Sequence, residues 1–329
     1  MPQSTSGSNV LITGGAGFIG SHLAGRLLEQ GARVTVLDDL STGREANLAA
    51  LRGNPNLHLV RDSVENEATV GTLMSQCDVV YHLASAVGVQ LILDEPVRTI
   101  RTTIHGTEVV LEAAFKFNRP VLITSSSEVY GKGARVPFNE DDDVVMGATR
   151  FSRWSYAYSK GIDEFLGLAY HKQSNLPVTI VRLFNTVGPR QVGMYGMVLP
   201  RFVTAALAGK PLQIYGDGKQ TRCFCHVADV VTAMLQLMGT PKSVGQVFNL
   251  GSDEEISILD LARRVIELSG SKSGIEYIPY EKAYGQAFDD LPRRVPKLDR
   301  IRSVIPFDRK FNLEQIIQSV IAEQQGSAS

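Results

Sequence analysis

Residues 9 to 20 read NVLITGGAGFIG: an apolar run of strand type enters glycines at positions 14, 17 and 20 and leaves into a helical pattern. Each glycine has its own reason. Gly14 permits a sharp exit from the strand, Gly17 lets bare backbone approach a phosphate, and Gly20 lets the helix pack close to the sheet with its first amides facing an anion. The next run, RVTVLDD (33–39), reads as a second strand and delivers Asp38 eighteen residues after Gly20. A carboxylate there accepts hydrogen bonds from both hydroxyls of an adenosine ribose and repels a 2′-phosphate. The order strand, glycine turn, helix, strand therefore predicts a site for NAD rather than NADP.

Working outward, β-rich runs recur at 10–13, 34–37, 57–60, 79–84, 121–124 and 178–184, separated by helical patterns at 20–30, 68–74, 97–117 and 156–173. The alternation predicts an α/β chain of Rossmann type, with a doubly wound parallel sheet and right-handed crossovers. The strands lack polar alternation, as strands covered on both faces do. Beyond residue 185 glycine and proline punctuate shorter elements, among them helices over 198–208 and 258–269 and a strand over 247–250. This divides the chain into a flexible tail (1–8), a dinucleotide-binding domain (9–184) and a smaller C-terminal substrate-binding lobe (185–325), some of whose strands are free to rejoin the main sheet. Ligands of open α/β sheets lie beyond the carboxyl ends of the strands, so the site is expected in the cleft between the two parts.

With 329 residues, 43% hydrophobic, and a net charge of −1, the chain has the composition of an ordinary soluble protein. Dispersed charge and a pI of 6.6 argue against a nucleic-acid partner. No apolar run approaches the roughly 20 residues that span a bilayer. The start, MPQSTSGS, lacks the charged and apolar regions of a signal peptide, which predicts a cytoplasmic protein. Cys223 and Cys225 precede His226, but no second cluster completes a metal site, so no metal is expected and the three cysteines read as buried thiols.

Two stretches carry chemistry. Tyr156 and Lys160 stand four apart at the start of a predicted helix and share a face. An ammonium beside a phenol, with a positive nicotinamide ring nearby, favours the phenolate and makes Tyr156 a base. Alone, the same spacing also describes a packed tyrosine and a solvated lysine; behind a dinucleotide fingerprint it reads as catalytic. The strand 121–124 ends in SSSEVYG (125–131), setting hydroxyls and one carboxylate at the edge where substrate should lie. Any single serine there also serves as a turn cap. Arg190, Arg222 and Arg294 suit a pyrophosphate or carboxylate, because a guanidinium offers paired donors, and each equally suits a solvated surface. Trp154 is open to three roles: stacking near substrate, anchoring an interface, or filling core.

Taken in order, Gly14-x-x-Gly17-x-x-Gly20, Asp38, HLAS (82–85), SSSEVYG (125–131) and Tyr156-x-x-x-Lys160 resemble the extended short-chain dehydrogenase/reductase family, and within it the nucleotide-sugar epimerases, dehydratases and decarboxylases. The likeness covers essentially the whole chain. It implies that Gly14, Gly17, Phe18, Ile19, Gly20, Asp38, Leu83, Ala84, Tyr156 and Lys160 hold NAD, with Asp62 and Ser63 bordering the adenine. LFNTVGPR (183–190), IYGDGKQTR (214–222) and HVADV (226–230) are similar to segments that hold a nucleoside diphosphate, most simply that of a UDP-sugar. Asn185 and Arg222 should then meet the diphosphate, and Val198, Leu199 and Tyr215 the base and ribose, with Ser127 and Arg294 near the sugar. The resemblance also implies a homodimer, through a four-helix bundle formed by the helices at 97–117 and 156–173.

In all these relatives the tyrosine, with Ser126 relaying, takes the proton of the sugar 4-hydroxyl while hydride leaves C4. The reactions divide at the 4-keto sugar. A 4,6-dehydratase resembling this chain carries an Asp-Glu pair where Ser127-Glu128 stands, and serine is a poor proton donor to a leaving hydroxyl. The expected function is therefore a UDP-sugar 4-epimerase. The alternative is a UDP-glucuronate decarboxylase, because Ser-Glu before ValTyrGly and RWSYA (153–157) are similar to enzymes of UDP-glucuronate, with Glu128 as a further catalytic residue and Arg153 and Arg294 suited to a carboxylate. Residues 86–96 depart from the proline-and-tyrosine loop of the usual xylose synthases. A third reading, from another class, is a non-catalytic NAD-binding regulator, against which the intact Ser126, Tyr156 and Lys160 speak.

Overall fold

The computed structural model describes residues 6–86, 88, 92, 94–133, 135–193, 197–284 and 291–326. Residues 1–5 of the expected tail and part of the 86–96 stretch lie outside them. Seven strands form one parallel sheet: β1 (Asn9–Thr13), β2 (Arg33–Leu37), β3 (Leu57–Val60), β4 (Val79–His82), β5 (Val121–Ser126), β6 (Val178–Leu183) and β7 (Gln246–Leu250), in the order β7-β6-β5-β4-β1-β2-β3. The order reverses between β1 and β4, which places the crevice of a doubly wound sheet beside the glycine turn.

Alternate residues of one strand point to opposite faces. Val10 and Ile12 accordingly belong to a core shared with the helix α1 (Phe18–Glu29), while Leu11 between them belongs to a second core with α2 (Glu67–Gln76), α3 (Pro96–Phe117) and α4 (Arg153–Ser174). Both faces are apolar because both are covered, and that is why these strands read as unbroken hydrophobic runs.

A third core lies in the C-terminal lobe. There α5 (Val198–Leu207), α7 (Ile258–Ser269) and α8 (Leu313–Gly326) pack around short strands such as Leu212–Tyr215, which runs parallel to Ile275–Ile278. Between these elements the chain returns to the main sheet. The helix α6 (Val227–Met238) buries Val227, Val230, Met234 and Leu237 against the face that α1 covers, and β7 pairs with β6. The strand over 247–250 thus completes the sheet rather than the lobe, and its residues from Val247 to Leu250 are buried on both sides. β4 ends at His82, two residues before the expected limit, so Leu83 and Ala84 leave the sheet as cavity wall. All three cysteines are buried and unpaired, and burial raises each thiol above its ordinary value. Among the described residues no helix is long and apolar enough to cross a membrane, and no group of His, Cys, Asp and Glu is placed to hold a metal ion.

Candidate active site

One cavity of about 480 Å³ runs from the glycine turn to the lobe. At its first end Gly14 has φ +71°, and a Cβ added there would lie 2.8 Å from the Ala84 nitrogen. A Cβ on Gly20 would lie 2.3 Å from the Gly14 carbonyl oxygen, so neither position tolerates a side chain. Gly17 caps α1, whose first turn holds no acidic residue and opens its amides to the cavity. Asp38, at the end of β2, accepts hydrogen bonds from the Ala16 amide (2.9 Å) and the Leu40 amide (2.8 Å). Burial raises its carboxyl, against the pull of those two amides. Each carboxylate oxygen keeps a second lone pair for a ligand hydroxyl. Further along the wall, Asp62 is held by Thr69, Asn66 and the Ser63 amide, and its half-buried carboxyl lies below the usual range, chiefly through Thr69. This bare-backbone cradle, helix N-terminus and acid fit a dinucleotide.

The middle of the cavity is built by one face of α4. Arg153, Tyr156, Lys160 and Asp163 follow one another at intervals of three, four and three, so helical periodicity sets all four in a stripe, and all four are buried. Opposite them β5 ends in Ser126, whose Oγ accepts from the Glu128 amide (3.2 Å) and caps the 3₁₀ turn Ser127–Tyr130. Ser125, Ser127 and Glu128 line the cavity with Ser126, and Ser125 donates to Glu164 at 2.5 Å. The hydroxyls of Ser85 and Ser126 stand at the Tyr156 phenol and favour its ionised form.

Glu128 is gripped. Arg153 donates to its Oε2 (3.1 Å), and Arg294, far along the chain, donates to its Oε1. Burial opposes ionisation of Glu128, but Arg294, Arg153 and Arg222 together hold its carboxyl below the ordinary value. It is therefore an acceptor, not an acid. Arg153 is steadied by Trp154, whose ring lies 4.7 Å below its guanidinium. Trp154 is fully buried with Ala157 and Leu291 and does not line the cavity, which settles its three possible roles as core.

Tyr156 behaves differently from the expectation. Burial, then the Glu128 and Asp163 carboxylates, push its phenol above the ordinary value, with the two serine hydroxyls acting the other way. The Lys160 ammonium donates to Asp163 at 3.1 Å, which sets a carboxylate against its charge on the same face of α4. At the lobe end Arg222 donates to the Leu291 carbonyl (2.8 Å), Asn185 donates to the Cys223 carbonyl (2.9 Å), and Arg201 stacks 4.0 Å over the Tyr215 ring.

The structure brings together Gly14, Gly17, Phe18, Ile19, Gly20, Asp38, Asp62, Ser63, Leu83, Ala84, Ser126, Ser127, Glu128, Tyr156, Lys160, Asn185, Val198, Tyr215, Arg222 and Arg294 around this one cavity. Leu199 is the exception. It follows Val198 by a single helical step, about 100° round the axis, and its side chain is buried in the lobe core instead. Sequence reading missed Ser85 and Asp163; for Asp163 the signal was available, an acid three residues after Lys160 on the same predicted helix.

Residues 10–251 match the model of the NAD-dependent epimerase/dehydratase family. The chain is 43% identical over 312 residues to a UDP-N-acetyl-α-D-glucosaminuronate decarboxylase of Bacillus cytotoxicus, covering 94% of this chain and 96% of that one. It is 37% identical to UDP-glucuronic acid decarboxylase 2 of Arabidopsis thaliana, covering 94% of this chain and 66% of the plant protein, whose remainder lies outside the match. The fold superposes with a TM-score of 0.87, at 26% identity over 97% of this chain and 99% of the other, on the UDP-glucuronic acid 4-epimerase of Bacillus cereus in complex with UDP-glucuronic acid and NAD.

Proposed function

The chain belongs to the NAD-dependent epimerase/dehydratase family, and from that footing we propose that it is a decarboxylase of UDP-hexuronates. The observation that carries this reading is the arginine grip on Glu128. Three guanidiniums, those of Arg294, Arg153 and Arg222, bear on one carboxylate. Arg294 Nε is moreover a buried donor with no acceptor among the described residues. Guanidiniums gathered at one point and an unanswered donor on Arg294 favour a substrate that carries a second anion beside its diphosphate. A uronate does, and a neutral hexose does not. This reverses the order of the two readings drawn from the sequence, and the 43% identity to a uronate decarboxylase supports it.

NAD, held by the glycine turn, Asp38, Asp62 and Ser63, supplies when bound the acceptor that takes hydride from sugar C4 and returns it. The chain's own groups do the rest. Tyr156, through Ser126, takes the proton of the 4-hydroxyl. Once C4 is a ketone, the C5–C6 bond breaks, its electron pair passes into the C4–C5 enolate, and C6 leaves as carbon dioxide. A proton from solvent is then added at C5, and Tyr156 returns the proton it took to O4. Arg294 and Arg153 orient the C6 carboxylate, and Glu128, held ionised, bridges the two guanidiniums and offsets their repulsion.

The 4-epimerase is the second reading, favoured by the same Ser126 and Tyr156 and by the superposition on a UDP-glucuronic acid 4-epimerase. A proton NMR time course of UDP-glucuronate and its 2-acetamido analogue, with purified protein and NAD, separates the two. A UDP-pentose with release of carbon dioxide is the expected product, and Arg294→Ala should lower its kcat about a hundredfold or more. Accumulation of the 4-epimer without loss of carbon would replace the decarboxylase with the epimerase. Full turnover by Tyr156→Phe would remove both mechanisms.

We also propose that two copies pair through α3 and α4.

A further inference from the structure

The base of this site has a second layer. The Lys160 ammonium donates to Asp163 Oδ2 at 3.1 Å, and both side chains are buried. The two stand three residues apart on α4, so the helix itself brings them together. The other carboxylate oxygen, Oδ1, is buried with no hydrogen-bond partner among the described residues. Thr107 of α3 faces Asp163, but its hydroxyl donates to the Thr103 carbonyl (2.8 Å) and meets His82 Nε2 (3.0 Å). A buried carboxylate with one partner costs stability, and an apolar side chain in its place would not. Its presence calls for a reason in the chemistry of its neighbours.

Those neighbours can be named from each packed element. Tyr156 shares one face of α4 with Lys160 and Asp163, and its phenol is faced by Asp163, by Glu128 with its partners Arg294 and Arg153 across the cavity, and by the hydroxyls of Ser85 and Ser126. Asp163 is faced by Lys160 and Glu164 on α4, by Thr107 of α3, and through Thr107 by His82 of β4. Among these groups Asp163 is the one that meets the Lys160 charge directly.

We propose that Asp163 is a positioning residue of the reaction: it fixes the Lys160 ammonium at one point on α4 and offsets its charge at Tyr156, and so sets the pH at which Tyr156 becomes a base. This role rests on the reading of Tyr156 as the base. Two carboxylates, Glu128 and Asp163, then stand against Lys160 at the phenol, and the free enzyme keeps Tyr156 protonated. Removing one of them tips the balance toward the phenolate.

The test is an ultraviolet tyrosinate titration of the protein as purified, with Tyr156→Phe subtracted to isolate one phenol. In Asp163→Asn, subtracted against Asp163→Asn/Tyr156→Phe, the Tyr156 midpoint should fall by about one pH unit, and the acid limb of the kcat/KM profile should move with it. A carboxylate that only supports the fold would lower kcat and thermal stability and leave both titrations in place, which overturns the proposal. If Asp163→Asn does not fold, Lys160→Gln gives the reciprocal test: Asp163, now unopposed, should drive the Tyr156 midpoint upward, and an unmoved midpoint overturns the proposal equally. Full turnover by Tyr156→Phe would remove the base reading and this role with it, whereas a shifted midpoint in an enzyme that releases no carbon dioxide would keep the role and remove only the decarboxylase.

Discussion

His82 shows how far a single buried side chain can make the fold depend on pH. It is fully buried at the end of β4, with Thr13 Oγ1 2.7 Å from Nδ1 and Thr107 Oγ1 3.0 Å from Nε2. Burial, and after it the Lys160 ammonium, lower its pKa from 6.5 to about 3. Above pH 6.5 the imidazole is neutral in both folded and unfolded chains and contributes no pH dependence. Between pH 6.5 and about 3 the unfolded chain binds one more proton at this site than the folded chain, so stability falls as the pH falls. The slope for one proton is ~1.4 kcal/mol per pH unit. Urea unfolding from neutral to acid pH should show that component in the wild type, and His82→Gln should lack it while being less stable at neutral pH, where it leaves Thr13 and Thr107 poorly matched. Equal slopes in the two proteins would mean that His82 takes up no proton on unfolding.

At the scale of the element, the glycine turn and α1 were legible in the sequence because every requirement there is local. A turn, a close approach and a tight helix start are each met by one residue within twelve. The six expected strands were legible for a different reason, since strands covered on both faces must be apolar throughout. The site face of α4 was half legible: Tyr156 and Lys160 announce themselves by spacing, but the answering carboxylate of Asp163 matters only once its burial is known. The substrate end was least legible, because Glu128, Arg222 and Arg294 are far apart in the chain and only the folded lobe joins them. α6 was hidden in a segment read for its likeness to diphosphate-binding loops. The glycines yield a prediction at this scale. In Gly20→Ala the new Cβ meets a backbone oxygen at 2.3 Å, which cannot swing aside, so α1 must move from the sheet. Such overpacking costs ~1–3 kcal/mol, and NAD affinity should fall tenfold or more as the helix N-terminus shifts. Gly25, on the same helix, has only the Leu51 side chain nearby, at 3.6 Å, so Gly25→Ala should be neutral or stabilising. Thermal melts and NAD titration of the pair distinguish close packing from a general intolerance of α1; equal behaviour of the two variants would remove the role given to Gly20.

For the whole molecule, the question is what covers α3 and α4. The two helices pack side by side, and their inner faces close the second core through Val109, Val110, Ala114 and Leu166. Outward they carry large apolar side chains: Phe165 is 77% exposed and Val97 70%, with Phe115, Ile162 and Tyr158 also exposed. Scattered apolar residues on a surface need no explanation, but several on one helix pair do. A second copy turned by a two-fold axis would lay the same pair against itself and bury each residue twice. Phe165 lies nine residues after Tyr156, about half a turn round the helix, so it faces away from the reacting groups. A phenylalanine at such a contact is worth ~2 kcal/mol, and two copies ~4 kcal/mol, or about a thousandfold in Kd. Sedimentation velocity at micromolar concentration should therefore find the wild type dimeric and Phe165→Asp monomeric, with helical content and NAD binding unchanged. A wild type that sediments as a monomer would leave this face without a second copy to cover it. A Phe165→Asp protein that remains a dimer would place the contact elsewhere, because an unpaired carboxylate at the centre of an apolar four-helix contact has no partner to offset its burial.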